Sequence, residues 1–203
     1  PGPVWIDIPV DISWSFIDES ALKIYKTPTN NNDSTLDKKI IKDLAKQLLE
    51  SERPIILVGY GCRLSSSEKK LLKLIKKYQI PFLTSWNMCD FTEFQHPLNV
   101  GRPGISGQRG ANLAVQNSDL LLSLGSHLNN SITGTSFSSF APDAKVAIVD
   151  IDKNELDNLN INVEFKIQAN VKDFLEIFSH NLANLPLRNQ TKAKNWQNTI
   201  HKY

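Results

Sequence analysis

In the stretch "GRPGISGQRGAN", residues 101–112, glycine stands at every third position: Gly101, Gly104, Gly107 and Gly110. A glycine lets a ligand approach the backbone closely, because no Cβ intrudes and positive φ carries little penalty. Gly104 and Gly107 are the positions expected to use that freedom. A helical run is expected at about 109–117, directly after them. Helix N-termini attract anions through free N–H groups and the helix dipole, and Arg102 or Arg109 can add a charge-assisted bond. The pattern points to a phosphate approach, with a flexible connector as the alternative. Four glycines are too few for a collagen repeat.

Three other short stretches carry similar chemistry, each at the end of an expected strand. "GYGC" (59–62) offers Gly59 and Gly61, but position 64 is Leu, so the dinucleotide fingerprint G-x-G-x-x-G lacks its third glycine. A tight strand-to-helix turn explains the pair equally. "LGSH" (124–127) offers the Gly125 and Ser126 backbone and a hydroxyl to a phosphate or a ribityl chain, or is a simple strand-end turn. "VDID" (149–152) ends a strand with acids. Such an acid binds ribose hydroxyls, or Asp150 or Asp152 caps the short helix expected near 154–156.

Catalytic chemistry is harder to find. His96, His127, His180 and His201 have no serine or cysteine neighbour in a nucleophile motif. Cys62 follows a strand end, but nothing near it in sequence lowers a thiol pKa, so a small buried apolar role is expected. The sequence contains no H-E-x-x-H, C-x-x-C or P-loop, and no metal site is expected. Asp150 and Asp152 lie two apart on an extended segment and so point to opposite faces. No acid–base couple is evident.

The elements that must position these residues follow from apolar periodicity. Leu36, Ile40, Leu44 and Leu48 recur every four residues, predicting a helix to about Ser51 capped by Ser34 or Thr35. Residues 55–58 are continuously apolar, as in a parallel strand buried on both faces. A helix over 66–78 follows, its inner stripe formed by Leu71, Leu72, Ile75 and Tyr78 and its five lysines solvated. Strands are expected at 4–8, 80–85, 119–125, 144–152 and 163–169, with a last helix at 171–183. The tail 184–203 reads as a linker or as a helix whose partner is absent. Strands alternating with helices imply right-handed crossovers. The expected fold is α/β, doubly wound, with a mainly parallel, six-stranded Rossmann-like sheet.

Bulk properties set the outer limits. The chain has 203 residues, 22% charged and 40% hydrophobic, with a net charge of +2. These values suit a globular domain with flanking pieces and give no strong steering toward nucleic acid or membrane. No signal peptide or 18-residue apolar run is present, and two cysteines make no disulfide framework. A cytoplasmic setting is expected. The polar stretch "KTPTNNNDST" (26–35) is the expected boundary between units. The opening on Pro1 and the apolar "PGPVWIDIPVDI" read as part of a longer chain.

Taken in order, "GPVWIDIPVDI", "RPIILVGYGCRLS", "GISGQRGANLAVQNSDLLLSLGSHLNNSITG" and "AKVAIVDIDKNEL" resemble the thiamine-diphosphate enzymes of the acetolactate synthase type. The resemblance covers roughly residues 1–12 and 36–182. It implies the C-terminal end of a pyrimidine-binding domain (1–12), a linker (13–35), a central nucleotide-binding-like domain (36–183) and a linker toward a diphosphate-binding domain (184–203). It places thiamine diphosphate and magnesium in the parent enzyme only. The catalytic glutamate and the G-D-G metal motif of the family do not occur in this sequence, so it is expected to be inactive alone. The parent would act on a 2-oxo acid such as pyruvate, by carbon–carbon bond formation or decarboxylation, as a homodimer or homotetramer.

The resemblance further implies cofactor-binding positions at Gly59, Gly61, Ser106, Gly107, Gly125, Ser126, His127 and Asp150. Flavin-bearing relatives usually carry Arg, Asp and Arg where this chain has His127, Asn129 and Ser131. That departure leaves FAD, ADP or a vestigial structural pocket open. A stand-alone dinucleotide-binding oxidoreductase domain is the reading from another class.

Overall fold

The computed structural model describes residues 3–26 and 36–203. The chain divides into two compact units, residues 1–33 and 34–203. In the first unit, α1 (Val10–Ser13) and a 3-10 turn at Glu19–Ala21 are the regular elements described. The strand expected at 4–8 does not form: these residues are exposed and irregular, and Pro9 heads α1. A strand needs a neighbour to satisfy its N–H and C=O groups, and no described strand pairs with this segment.

The second unit holds α2 (Lys38–Glu50), β1 (Pro54–Val58), α3 (Gly61–Leu64), α4 (Glu68–Tyr78), β2 (Phe82–Thr84), β3 (Asn99–Gly101) and α5 (Arg109–Asn117). It continues with β4 (Leu120–Leu124), α6 (Asn130–Thr133), β5 (Lys145–Asp150), α7 (Lys153–Asp157), β6 (Phe165–Gln168), α8 (Val171–Ala183) and α9 (Gln190–Ile200). Ser34 and Thr35, the expected caps of α2, lie outside the described residues. Its cap is Asp37, whose carboxylate accepts from the N–H groups of Lys39 and Ile40 at 2.8 and 3.3 Å.

All six strands are parallel, in the order β3-β2-β1-β4-β5-β6. The sixth strand is β3, an edge strand that the sequence did not predict. β3 carries a single branched apolar residue, Val100, and was too short to show a pattern. The order reverses direction between β1 and β4, and helices cover both faces. In an open α/β sheet, that reversal leaves a crevice beyond the carboxyl ends of the strands.

Alternation along the strands divides the core in two. Ile56 and Val58 of β1 join Leu120, Leu122 and Leu124 of β4 under α2, α4 and α8. Ile55 and Leu57 join Leu121, Val146 and Ile148 on the opposite face, under α5 and α9. This is the two-residue period of a strand buried on both sides. Trp196 of α9 is buried, and its indole N–H donates to the Pro54 carbonyl at 3.0 Å. The tail of the chain is therefore a helix whose partner is this sheet. Arg188, also buried, donates to the carbonyls of Gln79 (3.1 Å) and Glu52 (2.9 Å) ahead of it. Among the described residues, no helix is long and apolar enough to cross a membrane.

Candidate nucleotide cleft at the strand reversal

Registered pairing brings the ends of β1 and β4 level, with Val58 opposite Leu124. The turns beyond them touch backbone to backbone. Gly59 N–H donates to the Leu124 carbonyl and Gly61 N–H to the Gly125 carbonyl, both at 2.9 Å. Gly125 sits at φ +54°, a left-handed conformation that glycine adopts readily. A Cβ at Gly59 would stand 2.2 Å from the Gly125 oxygen, and one at Gly61 would stand 2.8 Å from the Gly125 Cα. These glycines are required first for contact with each other. That packing brings both turns to one rim.

A cleft of about 470 Å³ opens there, within the usual range for small-molecule sites. Its lining includes Gly61, Gly125, Ser126, His127 and Asp150, all expected from the sequence. Gly59 lies behind it, against Gly125 and Ser126. Ser106 and Gly107 are not among the lining residues.

The glycine-spaced loop packs on itself. Gly104 takes φ +125°, but Gly107 does not have positive φ, and a Cβ on it would press on Arg102 and Gly104 backbone. Most N–H groups of residues 101–108 donate within the protein. Gly104 donates to Asn112 Oδ1 (2.7 Å), Ile105 to the Ser131 carbonyl (2.9 Å) and Gly107 to the Gly104 carbonyl (3.0 Å). Gln108 clamps Arg102 twice: its Oε1 accepts from Arg102 N–H and its own N–H donates to Arg102 O, both at 2.8 Å. The loop holds Arg102 with its guanidinium carbon 5.2 Å from the centre of the Trp86 indole. Trp86 lines the cleft. The loop thus reaches the cleft through a side chain.

The polar groups of the cleft differ in how they are satisfied. Ser126 is 3% exposed, and its hydroxyl has no hydrogen-bond partner in the protein. The Ser85 hydroxyl, also in the lining, is likewise buried without one. A buried polar atom without a partner is uncommon and marks a place where a ligand or water completes the bonding. Asp150 accepts from Asp152 N–H at 3.0 Å. Burial, partly offset by backbone hydrogen bonds, raises its carboxyl above the ordinary value of 3.8. Asp152 caps α7 by accepting from Asn154 N–H at 2.8 Å. Asp152 therefore takes the capping role that the sequence left open between the two acids.

His127 Nδ1 lies against Glu155 Oε2, and both residues line the cleft. This contact was not legible in the sequence because the partners come from different crossovers, one after β4 and one in α7. Trp86, Ser85 and Glu155 were not expected as lining residues, since none sits in a recognisable motif. Trp86 had one signal, a large aromatic directly after an apolar strand. Cys62 is fully buried, its thiol pushed up to about 12 chiefly by desolvation, and it serves as core.

The lining thus combines an indole, two unpartnered hydroxyls, the Asp150 carboxylate and the start of α8 at Asn170 and Val171, with no Lys or Arg. This set suits hydroxyls and a planar ring. Comparison with known proteins places it in context. A family described as "Thiamine pyrophosphate enzyme, central domain" matches residues 41–178. A probable acetolactate synthase large subunit of Methanococcus aeolicus is 35% identical over 87% of this chain and 30% of its own length. The acetolactate synthase large subunit of Cyanidium caldarium is 33% identical over 100% of the chain and 35% of its own. Acetolactate synthase isozyme 1 large subunit of Escherichia coli is 30% identical over 86% and 30%. The chain therefore spans about a third of the length of these relatives.

Proposed function

Because the chain belongs to the family of thiamine pyrophosphate enzyme central domains, we propose that it is the central domain of an acetolactate synthase-type enzyme and that its cleft binds a nucleotide, FAD or ADP. Thiamine diphosphate and magnesium are assigned to other parts of the parent enzyme, which would join or release a two-carbon unit from a 2-oxo acid such as pyruvate. A cytoplasmic homodimer or homotetramer is the form this reading assigns to it, with no nucleic-acid or membrane partner.

The observation that carries the nucleotide reading is the buried, unpartnered Ser126 hydroxyl in the cleft beyond β1 and β4. The residues fit a nucleotide's sugar and ring. Asp150 accepts from ribose or ribityl hydroxyls, Ser126 donates to or accepts from the same portion, and Gly61 and Gly125 keep side chains out of its way. A bound nucleotide would serve here as a structural brace between the two turns, and the family's chemistry would proceed elsewhere.

Thermal melts with FAD, ADP, NAD and CoA test the assignment. A ligand at a hundred times its dissociation constant adds about 2.7 kcal/mol, which raises Tm by roughly 5–10 °C in a domain of this size. A shift with FAD or ADP is expected. A shift with NAD alone would transfer the chain to the oxidoreductase reading. No shift with any of the four would leave the pocket vestigial.

A further inference from the structure

Trp86 is 52% exposed and lies at the wall of the cleft, at the start of a 3-10 turn that follows β2 directly. Its backbone is well anchored. Ser85 N–H donates to the Val58 carbonyl at 3.0 Å, and Met88, fully buried, donates to the Ser85 carbonyl at 3.0 Å. Arg102 lies over the indole, and the Gln108 clamp fixes the Arg102 backbone on both its N–H and C=O. An exposed indole costs hydration free energy unless something covers it. Here the indole carries a guanidinium and lines a cleft whose acidic lining groups are Asp150 and Glu155, the latter in contact with His127.

A phosphate group gains little in such a lining, since Asp150 and Glu155 line the walls and Arg102, the cation beside them, lies over the indole. A flat heteroaromatic ring gains a great deal. Stacking on an aromatic side chain is tolerant of the ring's identity and is reinforced by a nearby arginine. We infer that Trp86 is the stacking platform for the heteroaromatic ring of the cleft's ligand, and that Arg102 of the glycine-spaced loop is the positioning residue that holds the indole for it. This rests on the nucleotide reading above and adds which part of the nucleotide is recognised. The ring and its sugar supply the affinity, and the phosphates add little.

The test is calorimetric titration of the full chain and its variants with adenosine, ADP, FAD and, as a ringless probe, ribose 5-phosphate. Adenosine and ADP are expected to bind within a few-fold of each other, and ribose 5-phosphate much more weakly. Trp86→Ala weakens every ring-bearing probe by roughly tenfold or more. Trp86→Phe keeps most of the affinity but abolishes the ligand-induced quenching of indole emission. Arg102→Ala weakens the same probes, and Arg102→Lys recovers part of the loss. Melting temperature is compared for each variant without ligand, so that loss of fold is separated from loss of binding.

Binding by the native chain that Trp86→Ala leaves unchanged overturns the stacking inference and spares the nucleotide reading. ADP binding without adenosine binding does the same, because recognition would then lie in the phosphates. No binding of any ring-bearing probe to the native chain removes the inference and the reading together.

Discussion

Asp150, proposed above to accept from the ligand's hydroxyls, is held at a cost to the fold. Its carboxyl is partly buried at the end of β5, and its pKa lies above the usual value. The folded chain therefore takes up this proton at a pH where the unfolded chain has already released it. The ionised carboxylate costs stability above the folded-state pKa, and the cost vanishes as pH falls below 3.8, the unfolded value. Asp150→Asn removes the charge, keeps an acceptor for Asp152 N–H and should leave Tm at neutral pH unchanged or higher. That gain should fade in melts recorded at progressively lower pH, while nucleotide affinity falls. A lower Tm at neutral pH would show that the charge is compensated in the fold.

At the scale of elements, two glycines in similar-looking sequence settings have opposite expectations. Gly59 ends β1 and meets the Gly125–Ser126 backbone, where a Cβ would come to 2.2 Å of a carbonyl oxygen. Backbone cannot yield as a side-chain tip can, so Gly59→Ala should cost roughly 3 kcal/mol and should widen the cleft. Gly110 lies in the first turn of α5, where the nearest atom to an added Cβ is 3.6 Å away, in ordinary contact. Gly110→Ala should stabilise by about 0.5–1 kcal/mol, because alanine loses less backbone entropy in a helix. Urea unfolding of both variants checks the pair. Similar effects from the two would mean that the β1–β4 turn contact is looser than the structure shows. The third glycine feature, the 101–110 loop, serves its internal bonding and the placement of Arg102.

Across the whole molecule, α9 and the residues just before it tie the C-terminal part of the second unit to the start of its sheet. Trp196 reaches the first residue of β1 and Arg188 spans the loops before β1 and after α4. Trp196→Ala removes a fully packed indole and one hydrogen bond, an expected loss of about 3–5 kcal/mol in urea unfolding. A loss below 1 kcal/mol would mean that the tail is dispensable to the sheet. Much of this architecture was legible in the sequence. The continuous apolar runs at 55–58 and 119–125 and the four-residue stripe of α2 are local properties, and burial on both faces of a parallel sheet follows from them. The strand-end positions Gly61, Gly125, Ser126, His127 and Asp150 were legible because parallel strands all finish at the same edge. Other features depended on folding. β3 has too few residues to show a period, and the segment 4–8 has an apolar run but no described partner strand. The Arg102–Trp86 and His127–Glu155 pairs, and the internal use of the glycine loop's N–H groups, join residues from separate crossovers. Local composition determines which segments become strands and helices. Only strand order and register determine which of their ends, and which side chains beyond them, meet.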